Sequence, residues 1–230
     1  MTDKEIKRQE KYKAGYNKAM SEHGGKTLDK LMWEYNDYAY GLVGFWYKKK
    51  SGETDYKVIV TSFDKGYYAA IEELISKAMK SVLISINPKW VAKIASGEKT
   101  VDVRKNYPHC ELPFKCYIYC TFPKKPAYTL WLNRGTDKRF LADGKVVGEF
   151  VCFGIDEFVP TENGIMVGRF ASLHDTCLKV SEMRDYLKGK KGYGWRISDL
   201  KIYDEPKELK DFGIERAPQS WQFIEVKSND

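Results

Sequence analysis

Four of the six residues from Lys99 to Arg104 carry groups that donate, accept or ionise: Lys99, Thr100, Asp102 and Arg104. Val101 and Val103 alternate with them. Side chains two apart on a strand share a face. The alternation therefore predicts a strand that sends its valines into a core and lines its other face with a hydroxyl, a carboxylate and a guanidinium. Lys99 sits beside them at the entry to the strand. A carboxylate next to an arginine fixes the guanidinium fork and leaves donors over. Such a group suits a phosphate or the Watson–Crick edge of an unstacked base. The plainer reading of the same pattern is a solvated strand face with a surface salt bridge.

Two further stretches have a nucleic-acid character. Lys188 to Arg196 is basic, glycine-rich and aromatic (KGKKGYGWR). Lys190 and Lys191 can neutralise phosphates, and Tyr193 can stack on a base. The alternative is a charged loop leading into a strand whose aromatic residues, Trp195 above all, fill the core. Lys124, Lys125, Arg134, Lys138 and Arg139, interleaved with Tyr128 and Trp131, form a second basic stretch in a long inter-strand insertion. A solvated surface is the plainer reading there too.

Metal and cofactor chemistry find no support. His23, His109 and His174 are far apart and lack ligand spacing. Cys116 and Cys120 share a strand face but lie about 13 Å apart, too far to hold one metal. The five cysteines are read as free thiols, mostly in the core. No P-loop, dinucleotide fingerprint, zinc-protease motif or nucleophile elbow occurs. No cofactor and no metal are therefore expected.

The elements that must hold the Lys99–Arg104 cluster follow from local signals. Val82 to Ile86 reads as a strand. Asn87-Pro88 starts a helix, the asparagine capping and the proline at the first helical position, and Gly97 ends it. The next strand is Thr100 to Arg104. Further strands are predicted at 115–121, 145–153, 195–202 and 221–226, with helices near 179–188 and 206–211. Strands dominate, which suggests a closed or nearly closed barrel decorated by helices. Before residue 80 the order is α-α-β-β-α. A helix over 3–22 opens with a Thr2/Glu5 capping box. A second helix runs from about Leu28 to Tyr40, a hairpin follows at 42–61, and a helix covers 69–79. Two domains are predicted: an accessory segment, 1–80, and a strand-rich domain, 81–230.

The segments Leu83 to Trp90 (LISINPKW) and Ile94 to Lys99 (IASGEK) resemble the opening of ASCH domains, whose signature is G-x-K-x-x-E-x-R. Gly97, Lys99 and Arg104 match it, and Asp102 stands where glutamate is usual. Val147-Gly148-Glu149-Phe150, Gly192 to Trp195 and Pro218 to Trp221 are similar to later elements of the family, in the same order. The resemblance spans about 81–226. It implies an α+β fold, a PUA-like mixed β-barrel with flanking helices, and a cleft beside the signature strand. It also implies RNA or a modified nucleoside as the ligand, with Lys99, Thr100, Asp102 and Arg104 as the candidate contacts of the cleft; the basic aromatic stretch adds Lys190, Lys191 and Tyr193 as further candidate contacts. One branch of the family hydrolyses N4-acetylcytidine with a lysine, a threonine and a glutamate, and another is linked to RNA cleavage. Lys99 matches that lysine and would be the catalytic residue of any enzyme here. Asp102 takes the place of the threonine, and Glu182 is the candidate for the glutamate.

The whole chain agrees with these classes without choosing among them. Its 230 residues carry a formal net charge of +7, which favours polyanionic partners. No run of about 18 apolar residues exists, and the polar N-terminus has no signal-peptide character. No membrane partner is expected, and the expected location is cytoplasmic. Three readings remain: an RNA- or nucleoside-binding module, a hydrolase, and a protein-interaction module that uses residues 1–80 for a partner or for self-association.

Overall fold

The computed structural model describes residues 2–28, 30–32, 44–48, 54–58, 60–123, 129–133 and 139–225. The chain divides into two compact units, Met1–Met79 and Lys80–Asp230.

In the first unit, helix α1 (Asp3–His23) opens at Thr2, whose side chain accepts from the Glu5 N–H while the Glu5 carboxylate accepts from the Thr2 N–H. Helix α2 (Ser62–Ala78) opens on an equivalent box of Thr61 and Asp64. A short hairpin, β1 (Gly44–Lys48) with β2 (Thr54–Val58), lies between them in sequence. The two helices approach closely at Gly15 and Gly66. A Cβ on Gly15 would lie 2.0 Å from the Phe63 carbonyl oxygen, and one on Gly66 1.9 Å from that of Tyr12. Ala19, Leu31, Tyr67, Ala70 and Ile71 make the core of this unit. The predicted helix from Leu28 is helical at 28 and 30–32, and its remainder lies outside the described residues. Helix α2 begins seven residues before the expected start at Ala69.

The second unit is a mixed sheet with helices. Its strands are β3 (Ser81–Ile86), β4 (Val101–Arg104), β5 (Phe114–Cys120), β8 (Lys145–Thr161), β9 (Gly164–Val167), β10 (Gly192–Lys207) and β11 (Trp221–Ile224). They are hydrogen-bonded in the order β11-β3-β5-β8-β10-β4, with β9 on β8. Among the described residues only β3 and β5 run parallel. A separate small hairpin pairs β6 (Trp131–Asn133) with β7 (Arg139–Leu141). Val82, Ile84, Phe114, Cys116, Ile118, Phe150, Cys152 and Trp195 build the principal core.

The expected barrel is corrected by this order. Among the described residues β4 and β11 are the two ends of the ladder and do not pair. The physical reason is length: β4 has four residues, and the backbone bends at Lys105 and Asn106 straight after it. Side chains span the gap instead. Two of the predicted strands are also much longer than expected, β8 with 17 residues and β10 with 16. The expected helix at 206–211 is a single 3-10 turn, Leu209–Phe212. Among the described residues no helix is long and apolar enough to cross a membrane.

Candidate functional site

The site is built where β4 meets two short helices. Helix α3 (Pro88–Ala95) is capped by Asn87, whose side-chain oxygen accepts from the Lys89 N–H at 3.1 Å. Val91 and Ile94 anchor it in the principal core, and its first turn carries Trp90. Gly97, at φ +78°, ends the turn that delivers Lys99 to β4. Helix α4 (Val180–Leu187) is held by Met183 and Leu187, which pack on Val101 and Val103 of β4 and on Phe158.

Strand β4 is buried on both faces, unlike the half-exposed strand its alternation suggests. Its valines fill the small core under α4. Asp102 stands opposite Trp195 of β10, and cross-strand partners share a face, so Asp102 and Arg104 turn toward the principal core. Lys99, Asp102 and Arg104 are only 3%, 5% and 7% exposed. Buried charges persist when they are paired and hydrogen-bonded, and these are. Arg104 Nε donates to Asp102 Oδ2 at 2.7 Å. Its Nη1 donates to the Ser220 carbonyl at 3.2 Å and the Ser220 hydroxyl at 3.3 Å, and its Nη2 donates to the Ser85 carbonyl at 3.1 Å. One guanidinium thus ties β4 to β3 and to the start of β11, across the gap between the two ends of the sheet.

Lys99 is pinned as tightly. Its Nζ donates to the carbonyls of Val101 at 2.8 Å and Thr176 at 3.0 Å, and lies 3.5 Å from Asp102 Oδ1. It also lies 5.3 Å from the centre of the Trp90 ring. Burial pulls the Lys99 pKa below its ordinary value, and the Asp102 carboxylate restores part of the difference. Burial would raise the Asp102 carboxyl, but Arg104 and Lys99 outweigh it and hold the group below the usual carboxylate range.

A cavity of about 360 Å³ opens on this triad. Such a volume is at the small end of ligand pockets. Trp90 of α3 and Tyr186 of α4 line it together with Ser85, Leu178 and Glu182. Lys89 lies 4.3 Å over the Trp90 ring, and Lys105 lies 4.7 Å over the Tyr186 ring. The Glu182 carboxylate serves the helix that carries it. Its Oε2 accepts from the Lys179 N–H at 2.9 Å and caps α4, while Oε1 lies 3.7 Å from Lys89. The Lys179 N–H, first among several contacts, holds its pKa low.

Of the residues the sequence singles out, Lys99, Asp102, Arg104 and Glu182 come together around this cavity. Thr100 is exposed and outside its lining, its backbone engaged with Asp175 and Ile197. Lys190 and Lys191 are exposed, and Lys191 pairs with Glu157 at 2.9 Å. Tyr193 is half-buried, edge-on to Tyr107 at 5.4 Å. Trp195 is fully buried. In the second basic stretch, 124–128 and 134–138 lie outside the described residues. The sequence patterns do not single out Tyr186, Ser85 or Leu178. Tyr186 has a legible signal, an aromatic residue one helical turn beyond Glu182. Among the described residues no cluster of three or more His, Cys, Asp or Glu side chains could hold a metal ion.

Comparison with solved structures finds the crystal structure of ASCH from Zymomonas mobilis, with 18% identity over 64% of this chain and 88% of that one, at a TM-score of 0.44. Two substituted forms of the same protein match at 20% and 19% identity, covering 91% and 89% of those chains, with the same score. No family model matches the chain, and no curated protein matches it.

Proposed function

We propose that the 80–230 unit binds one unpaired nucleobase, presented as a modified nucleoside or extruded from single-stranded RNA. The observation that carries this reading is a buried cation–carboxylate–cation triad at a cavity lined by Trp90 and Tyr186. Aromatic walls suit a flat ring, since base–aromatic stacking is worth about 1–3 kcal/mol. The polar groups suit a neutral ring better than a phosphate. Lys99 spends its donors on two carbonyls and Asp102, so it adds little to phosphate binding. Asp102 keeps lone pairs for an amino group, and Arg104 keeps one N–H for a ring carbonyl. The resemblance of Gly97 to Arg104 to the ASCH signature points to the same place. The test is calorimetric titration of cytidine and N4-acetylcytidine into the full chain and into Tyr186→Ala. Binding by the wild type that weakens about tenfold or more in the variant is expected. Equal affinity in both, or no heat with either nucleoside, overturns the reading.

A second reading, hydrolysis of an acylated cytidine, draws on one observation: burial lowers the Lys99 pKa, as a lysine base requires. Against it, Asp102 favours the ammonium form and Glu182 is committed to capping α4. Release of acetate from N4-acetylcytidine that disappears in Lys99→Met would favour it over simple binding.

A further inference from the structure

Away from the cavity, Arg196 of β10 has an unusual seat. It lies opposite Val101 of β4, so it is on the other face of the sheet from Asp102. Its guanidinium carbon is 4.4 Å from the centre of the Phe153 ring and 5.0 Å from that of Phe170. Both rings face solvent, Phe153 at 47% and Phe170 at 68% exposure. The seat is built rather than accidental. Strand β8 carries glycine at 154, where a Cβ would lie 1.8 Å from Arg196 Nη2. Asp156, itself 5% exposed, fixes the other side: its Oδ1 accepts from the Phe170 N–H at 3.1 Å.

Arg196 is ion-paired with Asp156, but its hydrogen-bond donors are not used up. The Arg196 Nε and the Asp156 Oδ2 facing it are 3.5 Å apart, and neither has a hydrogen-bond partner. Among the described residues Arg196 makes no side-chain hydrogen bond, in contrast to Arg104. Exposed Arg169 adjoins Phe170 in sequence. An arginine flanked by two exposed rings offers stacking surface and a planar set of donors at the same point. The chain as a whole is basic, +7, which favours polyanionic partners.

We propose that Phe153, Phe170 and Arg196 form a second binding site, for single-stranded nucleic acid: a base stacks on a phenylalanine ring and the guanidinium donates to a phosphate oxygen of the strand. The site does not rest on the cavity reading, because it shares no residue with it. A folded acidic protein is the competing occupant. Its carboxylates would engage Arg196 without needing the two rings as stacking surfaces.

The test is anisotropy titration of a fluorescein-labelled uridine dodecamer with the full chain at low and moderate salt. An unmodified homopolymer is chosen so that its result is read apart from the nucleoside titration. The expected result is salt-sensitive binding, weakened roughly five- to a hundred-fold by Phe170→Ala. Arg196→Lys keeps the charge and loses the planar fork, and is expected to weaken binding as well. Phe170→Trp guards against a folding artefact: it should retain binding, and its fluorescence should be quenched on saturation. Absence of wild-type binding, wild-type affinity in Phe170→Ala, or no added quenching in Phe170→Trp overturns the proposal. So does displacement of the dodecamer by polyglutamate with an affinity that Phe170→Ala leaves unchanged.

Discussion

Arg104 both lines the cavity and clasps the two ends of the sheet. A guanidinium beside a carboxylate suggests a fork held out to a ligand. Here most of the fork is spent on Asp102, Ser220 and Ser85. Lysine at this position reaches one of these partners but cannot span all three. Arg104→Lys is therefore expected to lower stability by about 3 kcal/mol, measured by urea unfolding followed in the near-ultraviolet circular dichroism. Asp102 gives a pH prediction. Its folded-state pKa is held below the unfolded value, which is about 3.9. Its stabilisation is therefore complete above that pH and is lost as pH falls through the lower, folded-state value. Asp102→Asn is expected to be less stable at neutral pH and to show a flatter acid limb. Unfolding midpoints measured between about pH 5 and pH 2 check both parts, and a limb as steep as that of the wild type would show that another carboxylate dominates.

The elements are legible where their signals are local. The Thr2/Glu5 box, the Asn87-Pro88 start and Gly97 all fall where the sequence puts them, because capping chemistry involves neighbours only. The start of α2 carries a local signal in its Thr61/Asp64 box, but Gly66 and two tyrosines just after it argue against a helix. Gly66 is there for Tyr12 of the other helix, a contact that no local pattern records. Strand β8 runs on past 153 through Gly154, whose missing Cβ leaves room for Arg196. The burial of the Asp102–Arg104 face of β4 is likewise invisible in its own sequence, since the Ser85 and Ser220 groups that Arg104 reaches lie 19 residues before it and 116 residues after it. Two predictions concern these elements. Gly15→Ala and Gly66→Ala force the helices apart and should each cost about 1–3 kcal/mol, seen as a lower thermal midpoint. Thr61→Ala removes one side of a capping box and should cost about 1 kcal/mol. No shift in the glycine variants would mean that α1 and α2 are less closely packed in solution.

The two units have separate cores, one around Ala19, Leu31 and Ile71 and the other around the mixed sheet. We therefore expect residues 80–230 alone to unfold cooperatively in calorimetry and to bind nucleosides within about twofold of the full chain, a difference near experimental resolution. A fragment that fails to fold would make the first unit an obligatory part of the second. Light scattering addresses the role of the first unit. A mass that rises with concentration in the full chain, and not in the fragment, would assign it to self-association.

The gap between β4 and β11 has a thermodynamic consequence. Ser85 and Arg104 both line the cavity and both belong to the side-chain clasp that holds the sheet's ends together. The Ser85 N–H donates to the Ser220 carbonyl at the end of the β3–β11 pairing, beside the Ser220 groups that Arg104 holds. A clasp of a few bonds opens more readily than a full ladder, so this corner is expected to exchange its amide hydrogens through local opening rather than global unfolding. Any ligand that binds the cavity only when the clasp is shut then suppresses that opening. At a hundred times its dissociation constant it contributes about 2.7 kcal/mol, or roughly a hundred-fold slower deuterium uptake at Ser85. Occupancy of the cavity can in this way be read from a backbone amide, even for a ligand that changes no spectrum.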